Sequence, residues 1–541
     1  MRVLLLRPVP RNERFGLGPF FRVEPLGMEY IGAALLARGH DVALRDLRFG
    51  PPVERDIRGM RPDVIGIACM HALEVDDTLA LVDRVRRASP GVFVVVGGHA
   101  AATYPAPFIG AAVDAICLDD GERVVPRLVE ALAQDRPLTE VPGLVLDGDH
   151  GPVETGAFDT PFALDEVPLP ARQLVHGWHR QYACLHHRPT YLIETARGCP
   201  FRCSFCSVWQ LFDRGFRERS IEAVCQDFAA TGDHVFVADD LFWHHASRSE
   251  ALAWELRRRG VRKEWILVQS RVDLVATHPA LLEAWRPLAR EFDIFFGLEA
   301  ASNDQLEGLQ KDTTVDRTLE GIRVARELGF GVTGNFVIDP DWDETDFEQL
   351  WDFVARHDLS RAGFTVLTPL PGTTYFDEMR PRIRAVEWSQ FDMHHLLWRP
   401  RLGAERFFEL YCETWRRSVL NLKGQKKWWQ WIKHAQPRHW AFTLRALART
   451  QEMMKPPHYL REHRLADDPA GALALAPANR DRQVRLSLSS SQLKSPPPAP
   501  LPSPRRVPAP AADTGSATRA GRTATPAGAA ARADPRRPAP R

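Results

Sequence analysis

Two runs of strand–helix alternation constrain the fold of this chain more than any other feature. In the first, apolar segments at Val3–Arg7, Asp41–Leu44, Asp63–Ala68, Val92–Val96 and Ala115–Leu118 alternate with helical spacing near Leu26–Arg38, Val75–Arg87 and Glu122–Ala133. Strands of this kind, each followed by an amphipathic crossover, bury both faces in a parallel sheet. This run therefore predicts an α/β fold with a doubly wound sheet over residues 1–140. Such sheets bind ligands beyond the carboxyl ends of their strands. The candidate ligand loops begin at Pro8, Met70-His71 and Gly97-Gly98-His99-Ala100, with Asp119–Glu122, including Gly121, after the last strand. Alone, Gly97-Gly98 reads equally well as a strand terminator.

The second run follows a proline-rich connector over 141–188. Its strand candidates are Tyr191–Thr195, His234–Ala238, Trp265–Gln269, Asp293–Leu298, Gly331–Ile338 and Ala362–Thr368. Helical stretches at Ile221–Ala230, Ser249–Arg259, Pro279–Leu288, Val315–Leu328 and Asp346–Arg356 separate them. Each strand ends in polar or special residues, as an active face at the C-terminal rim of an α/β barrel requires.

The first of these strands runs into Gly198-Cys199-Pro200-Phe201-Arg202-Cys203-Ser204-Phe205-Cys206. The spacing C-x3-C-x2-C puts three thiolates on one short loop. Three thiolates can hold three irons of a [4Fe–4S] cube and leave the fourth iron open. A structural zinc site wants four ligands, which Cys184, His186 or His187 would complete by looping back. Inert burial of three small side chains is a third reading. Farther along the rim, Asp239 and Asp240 can accept hydrogen bonds from an ammonium or from hydroxyls, although Asp240 also reads as a helix N-cap. Arg271, after Gln269-Ser270, offers a planar donor fork suited to a carboxylate, with a structural ion pair as the bland reading. Glu299 closes the fourth strand, and a rim acid buried there without a ligand would be costly. Asn335 and Thr368–Thr373 complete the rim. Asp339 and Asp341 read as turn residues first and substrate contacts second.

With its C-x3-C-x-aromatic-C loop at the end of a strand, the second run resembles the radical S-adenosylmethionine (SAM) superfamily. The resemblance implies a partial (β/α)6 barrel over 189–384 in which Cys199, Cys203 and Cys206 ligate a [4Fe–4S] cluster and Phe205 shields it. SAM would bind the open iron through its amino and carboxylate groups and be cleaved to a 5′-deoxyadenosyl radical. Implied SAM contacts are Asp239, Gln269, Arg271, Glu299 (in the family's G-x-E segment) and Asn335. The Glu24-Pro25-Leu26-Gly27-Met28-Glu29-Tyr30 segment, the Gly39-His40-Asp41-Val42 turn and Gly97-Gly98-His99 look like the flavodoxin-like cobalamin-binding domains fused to such enzymes. This implies cobalamin contacts at Met70, His71, Gly97, Gly98, His99, Gly121 and Glu122. The D-x-H-x-x-G signature that supplies a histidine to cobalt is absent, so His71 and His99 are expected as loop residues. An orphaned interaction domain is the competing reading.

Within the superfamily, Gly97–Ala101, Gly198–Trp209 and Asp339-Pro340-Asp341-Trp342-Asp343-Glu344 are similar to segments of the hopanoid C-3 methylases. This similarity implies methylation of an unactivated carbon of a lipid, by hydrogen abstraction and methyl transfer from methylcobalamin, with flavodoxin or ferredoxin as reductant. An oxygen-independent magnesium-protoporphyrin monomethyl ester cyclase has the same architecture and is the alternative. A non-catalytic cobalamin or iron–sulfur sensor is the alternative of a different class.

Composition narrows the partners. At 541 residues the chain has room for two or three domains. Net charge of +1 gives no global case for nucleic acid. The apolar run at Met1–Pro8 is too short for a signal peptide, and no run reaches the roughly 18 apolar residues of a membrane span. Eight cysteines, three of them clustered, fit a reducing cytosol, and a cytoplasmic protein is expected. Residues 385–465 read as a helical aromatic and basic module. It carries Trp415, Trp428, Trp429, Trp431 and Trp440, and fifteen Lys/Arg against five Asp/Glu between Arg399 and Arg464. Such residues suit a membrane–water interface, so peripheral contact at the inner face of the membrane is expected, beside a plain helical cap over the barrel. Residues 466–541 lose all aromatics, become Pro-, Ala- and Arg-rich, and are expected to be disordered.

Overall fold

The computed structural model of the chain describes residues 1–10, 21–148, 151–212, 215–359, 362–419 and 440–476. Five parallel strands, β1 (Arg2–Arg7), β2 (Asp41–Asp46), β3 (Val64–Ala68), β4 (Phe93–Gly97) and β5 (Ala115–Cys117), lie in the order β2-β1-β3-β4-β5. The order reverses between β1 and β3, which places a ligand crevice beyond their carboxyl ends. The sheet runs past residue 140, because β6 (Leu144–Gly148) and β7 (Gly151–Glu154) add two antiparallel strands after β5.

Alternation along β1 explains its two-sided burial. Val3 and Leu5 pack with Met28 and Leu35 of α1 (Leu26–Leu36) and with Val124 and Leu128 of α5 (Gly121–Ala133). Leu4 and Leu6 face the other way, toward Val53 and Ile57 of α2 (Val53–Met60), Val82 and Val85 of α3 (Val75–Ala88) and Ala101 of α4 (His99–Thr103). That second face is completed from far along the chain by Phe376, Met379, Ile383, Trp388, Phe391, Leu397 and Trp398.

The second sheet has six parallel strands in consecutive order: β8 (Tyr191–Ile193), β9 (His234–Val237), β10 (Lys263–Ser270), β11 (Ala289–Glu299), β12 (Gly331–Ile338) and β13 (Ala362–Val366). β8 and β13 remain edges, so the barrel is partial. One side packs against the crossover helices; the other is a cleft. β12 shows both: Val332, Phe336 and Ile338 are buried in the helix-backed core, whereas Thr333, Asn335 and Val337 stay half-buried. At the cleft's near end, Leu26 and Tyr30 of α1 pack against Leu192 and Phe236, so the two sheets share a core.

After the barrel, helices Ala404–Val419, Trp440–Met453 and Pro456–Leu460 follow. Phe407, Phe408, Tyr411 and Tyr459 join the barrel core, and the Trp415 ring meets Phe364 edge-on at 5.2 Å. Trp428, Trp429 and Trp431, with the side chain of Trp440, lie outside the described residues. No described helix is long and apolar enough to cross a membrane. The expected disordered tail does not begin at 466. Leu473 donates its backbone N–H to Ala385, the Tyr104 hydroxyl donates to the Ala476 carbonyl, and Leu473 and Leu475 pack on the first sheet's core. Scattered leucines and alanines suffice for order here because a preformed apolar surface receives them. The rest of the tail lies outside the described residues.

Candidate cofactor site

The cysteine loop is pinched at its base. Beyond β8 the chain forms a short antiparallel ribbon, Ala196–Gly198 against Phe216–Glu218, and the loop lies between its strands. Gly198 sits at φ 99°, and a Cβ there would run into the Gly215 carbonyl, so only glycine fits. Within the loop, the Cys206 N–H donates to the Cys203 carbonyl at 3.1 Å and Trp209 Nε1 donates to the same oxygen at 3.0 Å. Ser204 donates its N–H to the Leu309 carbonyl at 3.2 Å, and its own carbonyl accepts from Tyr375 at 3.3 Å. The loops after β11 and β13 therefore hold the cysteine loop from the far side of the rim.

Burial pushes all three thiols up, Cys206 to about 12, so the thiolates form only when a cationic centre draws the protons off. Arg271 and Lys311 lie close enough to Cys203 to favour its thiolate. The zinc alternative fails on position. Cys184 and His187 pair through their backbones, and the His187 ring stacks on Trp265 at 3.9 Å, near the first residues of β9 and β10. They lie at the amino-terminal end of the barrel strands, opposite the cysteine loop. Among the described residues no three His, Cys, Asp or Glu side chains converge on a single-ion point. Three thiols spread over one loop match a cube that takes one thiolate per iron.

The rim residues are placed as follows. Asp239 is buried, and its two oxygens accept from the Thr195 N–H and hydroxyl, each at 2.6 Å, which locks the start of the cysteine segment. Asp240 is no helix cap: it accepts the Gly198 N–H at 3.1 Å. Burial pushes the two carboxyls up, to about 7 and about 6. Arg271 stacks over the Phe201 ring at 3.8 Å, donates Nε to Asp273 at 3.0 Å and Nη2 to the Lys311 carbonyl at 2.7 Å. Its Nη1 is buried with no hydrogen-bond partner among the described residues, which fits a ligand carboxylate. Glu299 has a partner within the protein: Lys311 Nζ donates to it at 2.8 Å. Glu299 also takes φ 63° at a register shift in β11, an outlier for a non-glycine residue. Gln269 and Asn335 face the cleft half-buried, Asn335 Nδ2 donating to Thr365 Oγ1 at 2.7 Å. Phe205 is half-buried in the cysteine loop.

On the first sheet, the Met70-His71 turn is held by the buried Glu74, whose Oε2 accepts the Met70 N–H at 2.8 Å. Burial lowers His71 and brings His99 to about 4, yet Met70 is 40% exposed and His71 is exposed too. These groups stand at the hollow that the reversal of strand order leaves beyond the carboxyl ends of β3 and β4. Gly98, at φ 100°, lies where a Cβ would sit 2.7 Å from the Cys69 carbonyl, and Gly97 packs against Cys117. Gly121 serves helix packing, since a Cβ would meet Ile31 of α1 at 2.7 Å. His99 Nε2 lies 2.6 Å from the hydroxyl of Ser207, the residue after Cys206. Glu122 is buried and lies 2.7 Å from Arg197. The hollow at the strand ends therefore opens beside the cysteine loop. The sequence alone does not mark Thr195, Glu74 and Ser207 as parts of the site. Each works through a partner at least three residues away, so no local pattern marks it.

A ligand-binding doubly wound sheet joined to a three-cysteine barrel defines a cobalamin-binding radical SAM enzyme. Family models agree: the B12 binding domain matches residues 19–129 and the radical SAM superfamily matches residues 193–354. The chain belongs to this B12-dependent radical SAM family. It is 30% identical over 401 residues to the hopanoid C-3 methylase of Methylococcus capsulatus, covering 73% of this chain and 76% of that protein. It is 24% identical to the anaerobic magnesium-protoporphyrin IX monomethyl ester cyclase of Rubrivivax gelatinosus, covering 78% of each. Among solved structures, OxsB, a cobalamin-dependent SAM radical enzyme with aqua-cobalamin and SAM bound, shares the fold at a TM-score of 0.64 and 17% identity, over 91% of this chain and 75% of OxsB. The chain is thus a cobalamin-dependent radical SAM methyltransferase, and its cofactors are cobalamin, SAM and a [4Fe–4S] cluster.

Proposed function

We propose that this methyltransferase acts on hopanoids, at C-3. The observation that carries the reading is the similarity to the hopanoid C-3 methylase, which extends over 76% of that protein. In this reading residues 1–140 bind cobalamin, residues 189–384 form the catalytic barrel, and Cys199, Cys203 and Cys206 hold the cluster. The bound cofactors supply the electron, the radical and the methyl group. The chain's own residues orient and shield. Arg271 Nη1, buried and unpaired among the described residues, receives the SAM carboxylate. Glu299, held by Lys311, takes the ribose hydroxyls. Asp239, Gln269 and Asn335 shape the SAM side of the cleft, and Phe205 covers the cluster. Met70, His71, Gly97, Gly98, His99, Gly121 and Glu122 form the cobalamin side. The first sheet and the C-terminal segment wall the site from water, which protects carbon radicals from quenching. A pentacyclic lipid substrate suits peripheral contact of the aromatic and basic module with the inner face of the membrane, and flavodoxin or ferredoxin is the reductant.

The test is anaerobic incubation of reconstituted protein with SAM, hydroxocobalamin, a low-potential reductant and a hopanoid in detergent micelles. Mass spectrometry should find the hopanoid heavier by one CH2. The cyclase reading, favoured by coverage of 78% of the Rubrivivax protein, predicts instead consumption of magnesium-protoporphyrin monomethyl ester. Turnover of the porphyrin with an untouched hopanoid would overturn the hopanoid assignment. The Cys199/Cys203/Cys206 triple alanine variant should lose iron and sulfide together and yield no deoxyadenosine. Retained iron in that variant would sink the cluster assignment.

A further inference from the structure

One buried ion cluster joins the cobalamin side to the cysteine loop. Arg197, two residues before Cys199, has a side chain 11% exposed. Its Nη1 pairs with Asp120 and lies 2.7 Å from Glu122 Oε1, while Nη2 donates to Glu194 at 2.8 Å. Arg217, from the ribbon strand at the other base of the loop, pairs with Asp120 at 2.5 Å. Asp120 precedes α5 and Glu122 lies in its first turn, at the carboxyl end of β5. Beyond the last cysteine, Ser207 meets His99 at the carboxyl end of β4. Both ends of the cysteine loop are therefore tied to the strand ends that border the hollow. Removing one member of such a buried cluster leaves the others uncompensated, so its members are fixed in place together.

We propose that Arg197 is a positioning residue: it sets the separation between cobalamin and the cluster, and it couples filling of the hollow to the cysteine loop. The inference rests on cobalamin occupying that hollow. Arg197 reaches three carboxylates from two segments, a geometry that a methionine loses and a lysine only partly restores.

The full-length protein, reconstituted with iron and sulfide and loaded with hydroxocobalamin, is reduced to cob(II)alamin and [4Fe–4S]+. Pulsed electron paramagnetic resonance then reads the spin–spin interaction between them. Arg197→Met should keep wild-type iron and sulfide, weaken hydroxocobalamin binding about tenfold, within the usual range of site coupling, and broaden the interaction. Arg197→Lys should recover part of both. Asp120→Asn, which leaves Arg197 paired with Glu122 and Glu194, should shift both readouts in the same direction by less, and it stands in if Arg197→Met fails to fold. A purely structural role would lower the melting temperature and leave the spin–spin interaction of the folded fraction unmoved; that outcome overturns the proposal. Wild-type protein that takes up iron but no hydroxocobalamin would overturn the cobalamin assignment together with the coupling. Normal cobalamin uptake with unmoved variants would overturn the coupling alone.

Discussion

Asp239 is 1% exposed, and its carboxyl is held at about 7 by burial, which outweighs the two Thr195 hydrogen bonds that favour the ionised form. In the unfolded chain the same group ionises near 3.8. Between those values the folded state binds more protons. Stability of the cofactor-free protein therefore falls as pH rises from about 4 to about 7 and is level in this group above that. The contribution is at most a few kcal/mol, at about 1.4 kcal/mol per pKa unit. Asp239→Asn keeps a hydrogen-bonding side chain without the charge, so its melting temperature should drop less than wild type between pH 5 and pH 7.5, measured anaerobically on cluster-free protein. An unchanged slope would show that Asp239 is not the group responsible. The sequence points to Asp239 and Glu299 as rim acids but not to what they bind. Thr195 and Lys311 reach them across loops, and the Glu299 backbone that presents the acid to Lys311 takes a conformation no propensity forecasts.

At the scale of elements, a strand buried on both faces writes itself as an apolar run, as Val64–Ala68 does, and a strand with one buried face as an alternation, as Gly331–Ile338 does, so both are readable from sequence. The same reasoning does not reach the ribbon of Ala196–Gly198 with Phe216–Glu218. Three residues a side carry no period, and the ribbon exists because the cysteine loop needs a closed base. Nor does it reach residues 466–476, whose composition is that of a tail. Their order comes from the surface they land on, through the Leu473 bond to Ala385 and the Ala476 bond to Tyr104. A chain ended at Leu465 should therefore melt a few degrees below one ended at Ala476. It should also expose Tyr104, visible as faster hydrogen exchange in the helix His99–Thr103 beside the hollow. Equal melting temperatures would mean that the Leu473–Ala476 contacts add nothing to the fold.

For the whole molecule, the decisive feature is that the first sheet does not close its own core. Leu4, Leu6, Ile65 and Ile67 are covered partly by α3 and partly by Phe376, Met379, Trp388, Phe391, Leu397 and Trp398, which follow the barrel in sequence. On the opposite flank α1 buries Leu26 and Tyr30 against the barrel residues Leu192 and Phe236. Neither architecture can shed the other without exposing large apolar side chains, each worth about 1.5–3 kcal/mol when fully buried. The sequence reads as separable domains because each run of βα units is self-consistent in period. Period, however, carries no record of which apolar face a distant segment will cover. Residues 1–158 expressed alone should accordingly aggregate or bind hydrophobic dyes, while the full chain should unfold in one calorimetric transition. Hydroxocobalamin should raise that single transition, by about 2.7 kcal/mol of stabilisation at a hundredfold excess over its dissociation constant. Because the core is shared, slowed hydrogen exchange should spread from the first sheet into β8 and β9. Two separate transitions, with only the first moved by cobalamin, would refute the shared core and return the molecule to two independent domains on a linker.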